Sequence, residues 1–278
     1  MEKRRTKSVL SVLLMIFLAA CNYPATPPIV GAQTTPTEPP ATSATETGTT
    51  TEVPATVEGN APMTGTGVCA NNYYPVRQGA TWSYKSTGAG DYSFTDTITS
   101  VREDGFTLST QSGNLAGTQE WACKPEGLVA LQFGGAPAAL LSAQSMQLNV
   151  QSSNVSGITF PSQINAGNTW QHSLDLQGNA SAAGIEGEAK GTAQNNFTAV
   201  GTESVTVPAG TFEAMKIQAD TTINMTVSYN GLPIPIKFSS SYTYWFAPGV
   251  GWVKASGTGS IAGTSYSETT ELQSYNIP

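Results

Sequence analysis

Charge is what this 278-residue chain has least of: only 11% of its residues are Asp, Glu, Lys or Arg, well under the usual quarter. Exposed helix faces normally carry many Lys and Glu, so this composition argues against a helical protein. Histidine occurs once, at His172, and cysteine three times. With one histidine and no G-x-S-x-G elbow, a Ser-His-Asp hydrolase would have to be built on His172 alone, which reads instead as a partly exposed strand position. No D-x-D-x-D-G series surrounds Glu103-Asp104-Gly105, so that acidic run is a hairpin turn and not a calcium loop. No apolar run reaches the roughly 20 residues that a bilayer-spanning helix requires. What the chain does have is Gly, Thr and Ser in abundance and 39% apolar residues. That mixture can support a core and suits short strands joined by tight turns.

The first 20 residues follow the secretory design: basic Lys3, Arg4, Arg5 and Lys7, then an apolar run from Val9 to Ala20 broken only by Ser11. The run ends Leu18-Ala19-Ala20-Cys21, which resembles the lipobox of bacterial lipoproteins. The resemblance implies cleavage before Cys21, a diacylglyceryl thioether on its sulfur and an amino terminus open to acylation. Two or three acyl chains, at about 0.8 kcal/mol per buried methylene, anchor stably where one would be marginal. Asn22 follows, not the Asp that retains such proteins in an inner membrane, so in a cell with two membranes the outer one is favoured.

Residues 22–66 hold 13 Thr, 8 Pro and four Glu, no Lys or Arg, and Tyr23 as their one aromatic. Too little apolar surface is present to offset the entropy of ordering, and a disordered tether of roughly 40 Å as coil or 140 Å as polyproline II is expected. One β domain, residues 67–278, follows. Without the leader the chain carries eight basic and eighteen acidic residues, a net charge of −10 that repels phosphate backbones and excludes nucleic acid as a partner. Membrane contact then comes through the lipid on Cys21. With Cys21 assigned to lipid, Cys69 and Cys123 remain in a compartment where disulfides persist, and one pairing is possible.

Strand signals are dense after Tyr73. Trp82 and Tyr84 alternate with polar neighbours, Asp104-Gly105 turns between Val101 and Phe106, and Leu128–Phe133 reads as a more buried strand. Ile223, Met225, Val227 and Tyr229 alternate with polar residues before Asn230-Gly231 returns the chain. In the returning strand Pro233 and Pro235 remove N–H groups from one side, which places that stretch at a sheet edge or bulge. Pro137–Met146 has an apolar stripe compatible with helix, strand or loop. An internal echo organises the whole domain: Gly79-Ala80-Thr81-Trp82 and Gly167-Asn168-Thr169-Trp170, each after an aromatic-Pro pair, Tyr74-Pro75 and Phe160-Pro161. Trp121 precedes Gly127-Leu128-Val129 as Trp245 precedes Gly251-Trp252-Val253. Two related antiparallel meanders are expected, about 67–136 and 155–278, forming either a strongly curved half-barrel sheet or a two-sheet sandwich.

Val207-Pro208-Ala209-Gly210-Thr211-Phe212 and Tyr244-Trp245-Phe246-Ala247-Pro248-Gly249-Val250-Gly251 resemble paired hairpin motifs of a group of uncharacterised bacterial secreted proteins and lipoproteins. The resemblance implies an antiparallel, curved sheet akin to lipoprotein-carrier half-barrels, and it implies no activity.

No catalytic, metal or cofactor site emerges. Glu186 and Glu188 share a strand face, as paired acid and base would, but neighbouring Gly184 and Gly187 mark an exposed strand. Trp82, Trp121, Trp170, Trp245 and Trp252 read as core. The sequence therefore points to a non-enzymatic, lipid-anchored domain outside the cytoplasm that binds an apolar small molecule or a partner protein, with no binding residue identified. The alternatives are a structural or adhesion module of the envelope and, third, a hydrolase.

Overall fold

A computed structural model describes residues 67–135, 138, 146–182 and 185–278. The leader, the Cys21 lipid site and the tether lie outside the described residues. So does most of Pro137–Met146; of its ends, Ala138 is helical and Met146 opens a strand.

A 3-10 turn, Gly67–Cys69, precedes thirteen strands. The first five are β1 (Thr81–Thr87), β2 (Tyr92–Val101), β3 (Gly105–Ser112), β4 (Leu115–Lys124) and β5 (Gly127–Ala130). Then come β6 (Met146–Gly157), β7 (Phe160–Pro161), β8 (Thr169–Ala182) and β9 (Ile185–Val207). The last four are β10 (Gly210–Tyr229), β11 (Leu232–Ala247), β12 (Gly251–Ile261) and β13 (Thr264–Asn276). All belong to one antiparallel sheet, in the order β6-β8-β9-β10-β11-β12-β13-β1-β2-β3-β4-β5-β7. The sheet is a strongly curled half-barrel, which settles the choice between half-barrel and sandwich.

The two echoed segments open two meanders, β1–β5 and β8–β12. Each begins with the same local bonds. Gly79 N donates to Ile98 O (2.8 Å) and Ala80 accepts from Ile98 N (2.9 Å); Gly167 N donates to Ala199 O (2.8 Å) and Asn168 accepts from Ala199 N (2.9 Å). Both glycines sit at positive φ, +83° and +87°, where a side chain would strain the turn. The C-terminal strand β13 splices the meanders by pairing with β12 on one side and β1 on the other.

The sheet's two ends are successive stretches of one segment. As β6 it runs along β8 as far as Gly157↔His172; as β7 it pairs β5 through Leu128↔Phe160. At the crossing Ile158 N donates to Gln171 O (2.9 Å) and Thr159 N to Leu128 O (3.0 Å). The curl is thereby pinned shut at one corner.

Three local expectations meet the structure here. β5 stops at Ala130 instead of running to Phe133, because Phe133 N reaches across to Ser152 Oγ of β6 (2.9 Å). β11 pairs β10 from Leu232 onward but meets β12 only from Phe238↔Ile261, so the Pro233/Pro235 stretch is an edge on that side. Cys69 and Cys123 are joined by a disulfide, Cα–Cα 5.0 Å, and Cys123 shares the buried face of β4 with Trp121. The main core gathers around that bridge: Trp82, Tyr84, Phe94, Ile98, Phe106, Trp121, Leu128 and Leu272.

Candidate functional site

Residues two apart on a strand share a face, and the inward face of the curled sheet is assembled from such series. Strand β8 contributes Trp170, His172 and Leu174; β9 contributes Ala193, Asn195 and Phe197; β10 contributes Ile217, Ala219, Thr221 and Ile223. Together with Trp121 of β4, Tyr244 and Phe246 of β11 and Trp252 of β12 they line a cavity of about 220 Å³. Two residues from the aromatic-Pro pairs complete it, Tyr74 and Phe160, whose ring centroids lie 6.1 Å apart. The walls are largely aromatic: Trp170 stacks on Phe197 at 5.3 Å, Phe160 tilts against Phe246 at 4.7 Å, and Tyr74 against Trp121 at 5.3 Å.

The polar groups on this lining are few and mostly spent. Gln119 Nε2 donates to Gln132 O (2.7 Å) and its Oε1 accepts from the Trp121 indole (3.0 Å). Thr221 Oγ1 donates to Asn195 Oδ1 (2.7 Å). His172 is 3% exposed, which corrects the partly exposed position expected for it. Its Nε2 donates to Ala130 O (2.9 Å) across the closing corner, so its ring ties β8 to β5. Burial pulls its pKa below the usual histidine value, opposed by that backbone bond.

Asp96 is the one acidic group among the described residues of the lining. It lies on β2 in register with Phe94 and Ile98, is 6% exposed, and lines the cavity. Its Oδ1 accepts from Thr110 Oγ1 (2.5 Å). Burial pushes its pKa up to about 7, against the lowering effect of that bond. Among the described residues no Lys or Arg lines the cavity. Farther along the concave face a second buried carboxylate, Glu268, accepts from Tyr92 Oη (2.5 Å) and Tyr242 Oη (2.6 Å). Burial first, and then Glu268 itself, drive both phenols well above the ordinary tyrosine range.

Other residues singled out in the sequence lie elsewhere. Glu186 and Glu188 are exposed on β9 and away from the cavity. Asp104 sits in the β2–β3 turn, its carbonyl accepting from Cys123 N (2.7 Å). Trp245 is not core: half-buried, its indole donates to Glu203 (2.5 Å) while Lys216 Nζ lies 5.8 Å from its ring centroid. Trp170 and Trp252 are cavity wall more than core, each half-buried. Asp96 and Glu268 went unnoticed in the sequence, although Asp96 interrupts an alternating apolar series at an inward position, Phe94-x-Asp96-x-Ile98, and Glu268 shares a face with Thr270 and Leu272. Among the described residues no cluster of three or more His, Cys, Asp or Glu is placed to hold a metal. Nor, among them, is any helix long and apolar enough to cross a membrane.

Comparison with known families matches residues 116–275 to the DUF3108-like model. No curated protein matches the chain in sequence. Two solved structures are similar to the chain at low TM-score. One is a protein from Bacteroides fragilis described as exported and as having a YmcC-like fold, 13% identical, TM-score 0.46, covering 74% of this chain and 100% of its own. The other is a protein from Parabacteroides distasonis described as a lipoprotein, 15% identical, TM-score 0.44, covering 75% of this chain and 99% of its own.

Proposed function

We propose, for a chain that belongs to the DUF3108-like family, that the half-barrel is a non-enzymatic binding domain that holds an apolar small molecule in its concave face. The observation that carries this reading is the cavity of about 220 Å³ with its aromatic walls. A concave, mostly apolar space with a few fixed polar groups is the ordinary form of a small-molecule site. The only histidine is buried and its Nε2 is bonded to a backbone carbonyl, a structural tie between β8 and β5. The domain works outside the cytoplasm, attached through lipid on Cys21 and held off the membrane by residues 22–66, in the outer membrane where there are two.

The test is uptake of a neutral fluorescent probe, N-phenyl-1-naphthylamine. Saturable binding that is lost when Ala193→Trp fills the cavity from β9 is the expected result. Absence of saturable uptake would overturn the reading and leave an envelope-structural role in its place. Mass spectrometry of small molecules retained through purification from the native envelope would then identify the natural ligand.

A further inference from the structure

The cavity adjoins a second, much smaller recess of about 10 Å³, lined by Trp82, Tyr84, Gly251 and Pro75 and sharing Tyr74, Asp96 and Trp252 with the larger space. That is room for one water-sized group. Two of the three side-chain donors around it are already used, Trp82 Nε1 by Val250 O (2.5 Å) and Tyr84 Oη by Trp252 O (3.0 Å), while the Tyr74 hydroxyl has no partner among the described residues. The acceptor is only half used. Asp96 accepts through Oδ1 only, from Thr110, and its Oδ2 has no hydrogen-bond partner among the described residues. A nine-tenths buried carboxylate with one donor and no counterion is costly in its ionised form until a proton or a donor completes it.

The complement of this site is therefore a compact donor with positive charge. An anionic head is disfavoured by Asp96 and finds no Lys or Arg among the described residues of either lining. A hydroxyl would satisfy the geometry but not the charge. Tyr74, Tyr84 and Trp252 line the recess with the carboxylate, aromatic surroundings that favour a cation over an anion. The recess is too small for a trimethylated nitrogen.

We propose that the ligand is a primary amine with an apolar tail, its ammonium group seated in the recess on Asp96 and its tail in the aromatic cavity. This rests on reading the cavity as a ligand site. The elevated pKa of Asp96 is what an unpaired acid shows, and an ammonium partner restores its ionised form.

The experiment measures displacement of N-phenyl-1-naphthylamine from the full chain at pH 8 by octylamine, octanol and octanoate. Octylamine should act at a concentration at least about tenfold lower than the other two, the effect of one charge-assisted hydrogen bond. Asp96→Asn should bring octylamine level with octanol, the competitors being ranked against one another on the same variant so that a change in dye affinity cancels. Equal potency of the three, a preference for octanoate, or no displacement of bound dye by octylamine each overturns the amine assignment while the cavity reading stands. No dye binding at all removes the cavity reading and the amine with it. The comparison on the unaltered chain decides the matter even where the variant fails to fold.

Discussion

The two meanders start from the same turn and end as different objects. In the first, β3 and β4 have 8 and 10 residues; in the second, β10 and β11 have 20 and 16. The first is thick with large buried rings, Trp82, Tyr84, Phe94, Phe106 and Trp121, and is stapled by Cys69–Cys123. The second continues past that core as a long arm whose inward face carries smaller groups, Ala180, Ala189, Ala193, Met225 and Val227, in separate small clusters. Near-identical turns are thus compatible with a rigid wall on one side and a long curved wall on the other. The cavity forms between them, where the rings of one half face the open curve of the other.

The sharpest way to break this comparison is to remove equivalent packing from each half. Phe106 is fully buried between Tyr74 and Trp121, with centroids 5.8 and 5.4 Å away. Phe106→Ala should cost about 3–5 kcal/mol in urea unfolding, whereas Val227→Ala in the arm should cost about 1–2 kcal/mol. Equal losses would mean the arm is packed as tightly as the wall. The disulfide comes next: it spans 54 residues, and in the chain-entropy model closing such a loop contributes about 4 kcal/mol. The Cys69→Ser/Cys123→Ser double variant should melt lower with an unchanged β-type circular dichroism spectrum, and an unchanged melting temperature would show that the wall does not rely on its staple.

A third difference is pH. Asp96 has a folded-state pKa of about 7 against an ordinary value of 3.8, so between these values the folded form binds more protons than the unfolded one. Its contribution to stability is complete below about pH 4, falls as pH rises toward 7, and stays lost above that, a swing on the order of 2–4 kcal/mol. Chemical denaturation at intervals from pH 4 to 8 should show this decline in the unaltered chain and its disappearance in Asp96→Asn, which should be the more stable of the two at pH 8. The arm is probed by Gly191, which lies against the Asn224–Met225 backbone of β10 with no room for a Cβ. Gly191→Val should cost about 1–3 kcal/mol through displaced backbone, read from the shift in the urea midpoint. The smallest effect on stability belongs to the edge prolines. Pro233→Thr/Pro235→Thr should change unfolding free energy by no more than about 0.5 kcal/mol, yet give the exposed edge beside Leu232 and Ile234 new N–H groups. Analytical ultracentrifugation should then show self-association that the unaltered chain lacks.

Much of the wall was legible before any coordinates. Gly79-Ala80-Thr81-Trp82 and its echo, the Asp104-Gly105 and Asn230-Gly231 turns and the edge prolines all act through their own backbone dihedrals and donors, so a local reading of residues is enough. The cavity was much less legible. Trp170 and Trp252 carry the same strand signal as Trp82, and only their place on the curve makes them lining and Trp82 core. Trp245 reads as core from its neighbours but turns outward, because Tyr244 and Phe246 on either side of it take the inward face of β11. Asp96 could have been flagged, since a carboxylate between Phe94 and Ile98 on alternate positions must face whatever they face.

Composition and turn chemistry by themselves determined an antiparallel β domain of two related meanders, because alternation and positive-φ turns depend on near neighbours in the chain. The tertiary structure alone decided that the meanders form one sheet spliced by β13, that β6 and β7 close its corner, and that a cavity lies inside. Those features depend on pairings such as Leu128↔Phe160 and Thr81↔Asn276, between residues with no periodic relation in sequence. Asp96 shows the same division: its face follows from β2, but its burial and its unmatched oxygen follow from Tyr74 and Trp252, brought to it by the curl.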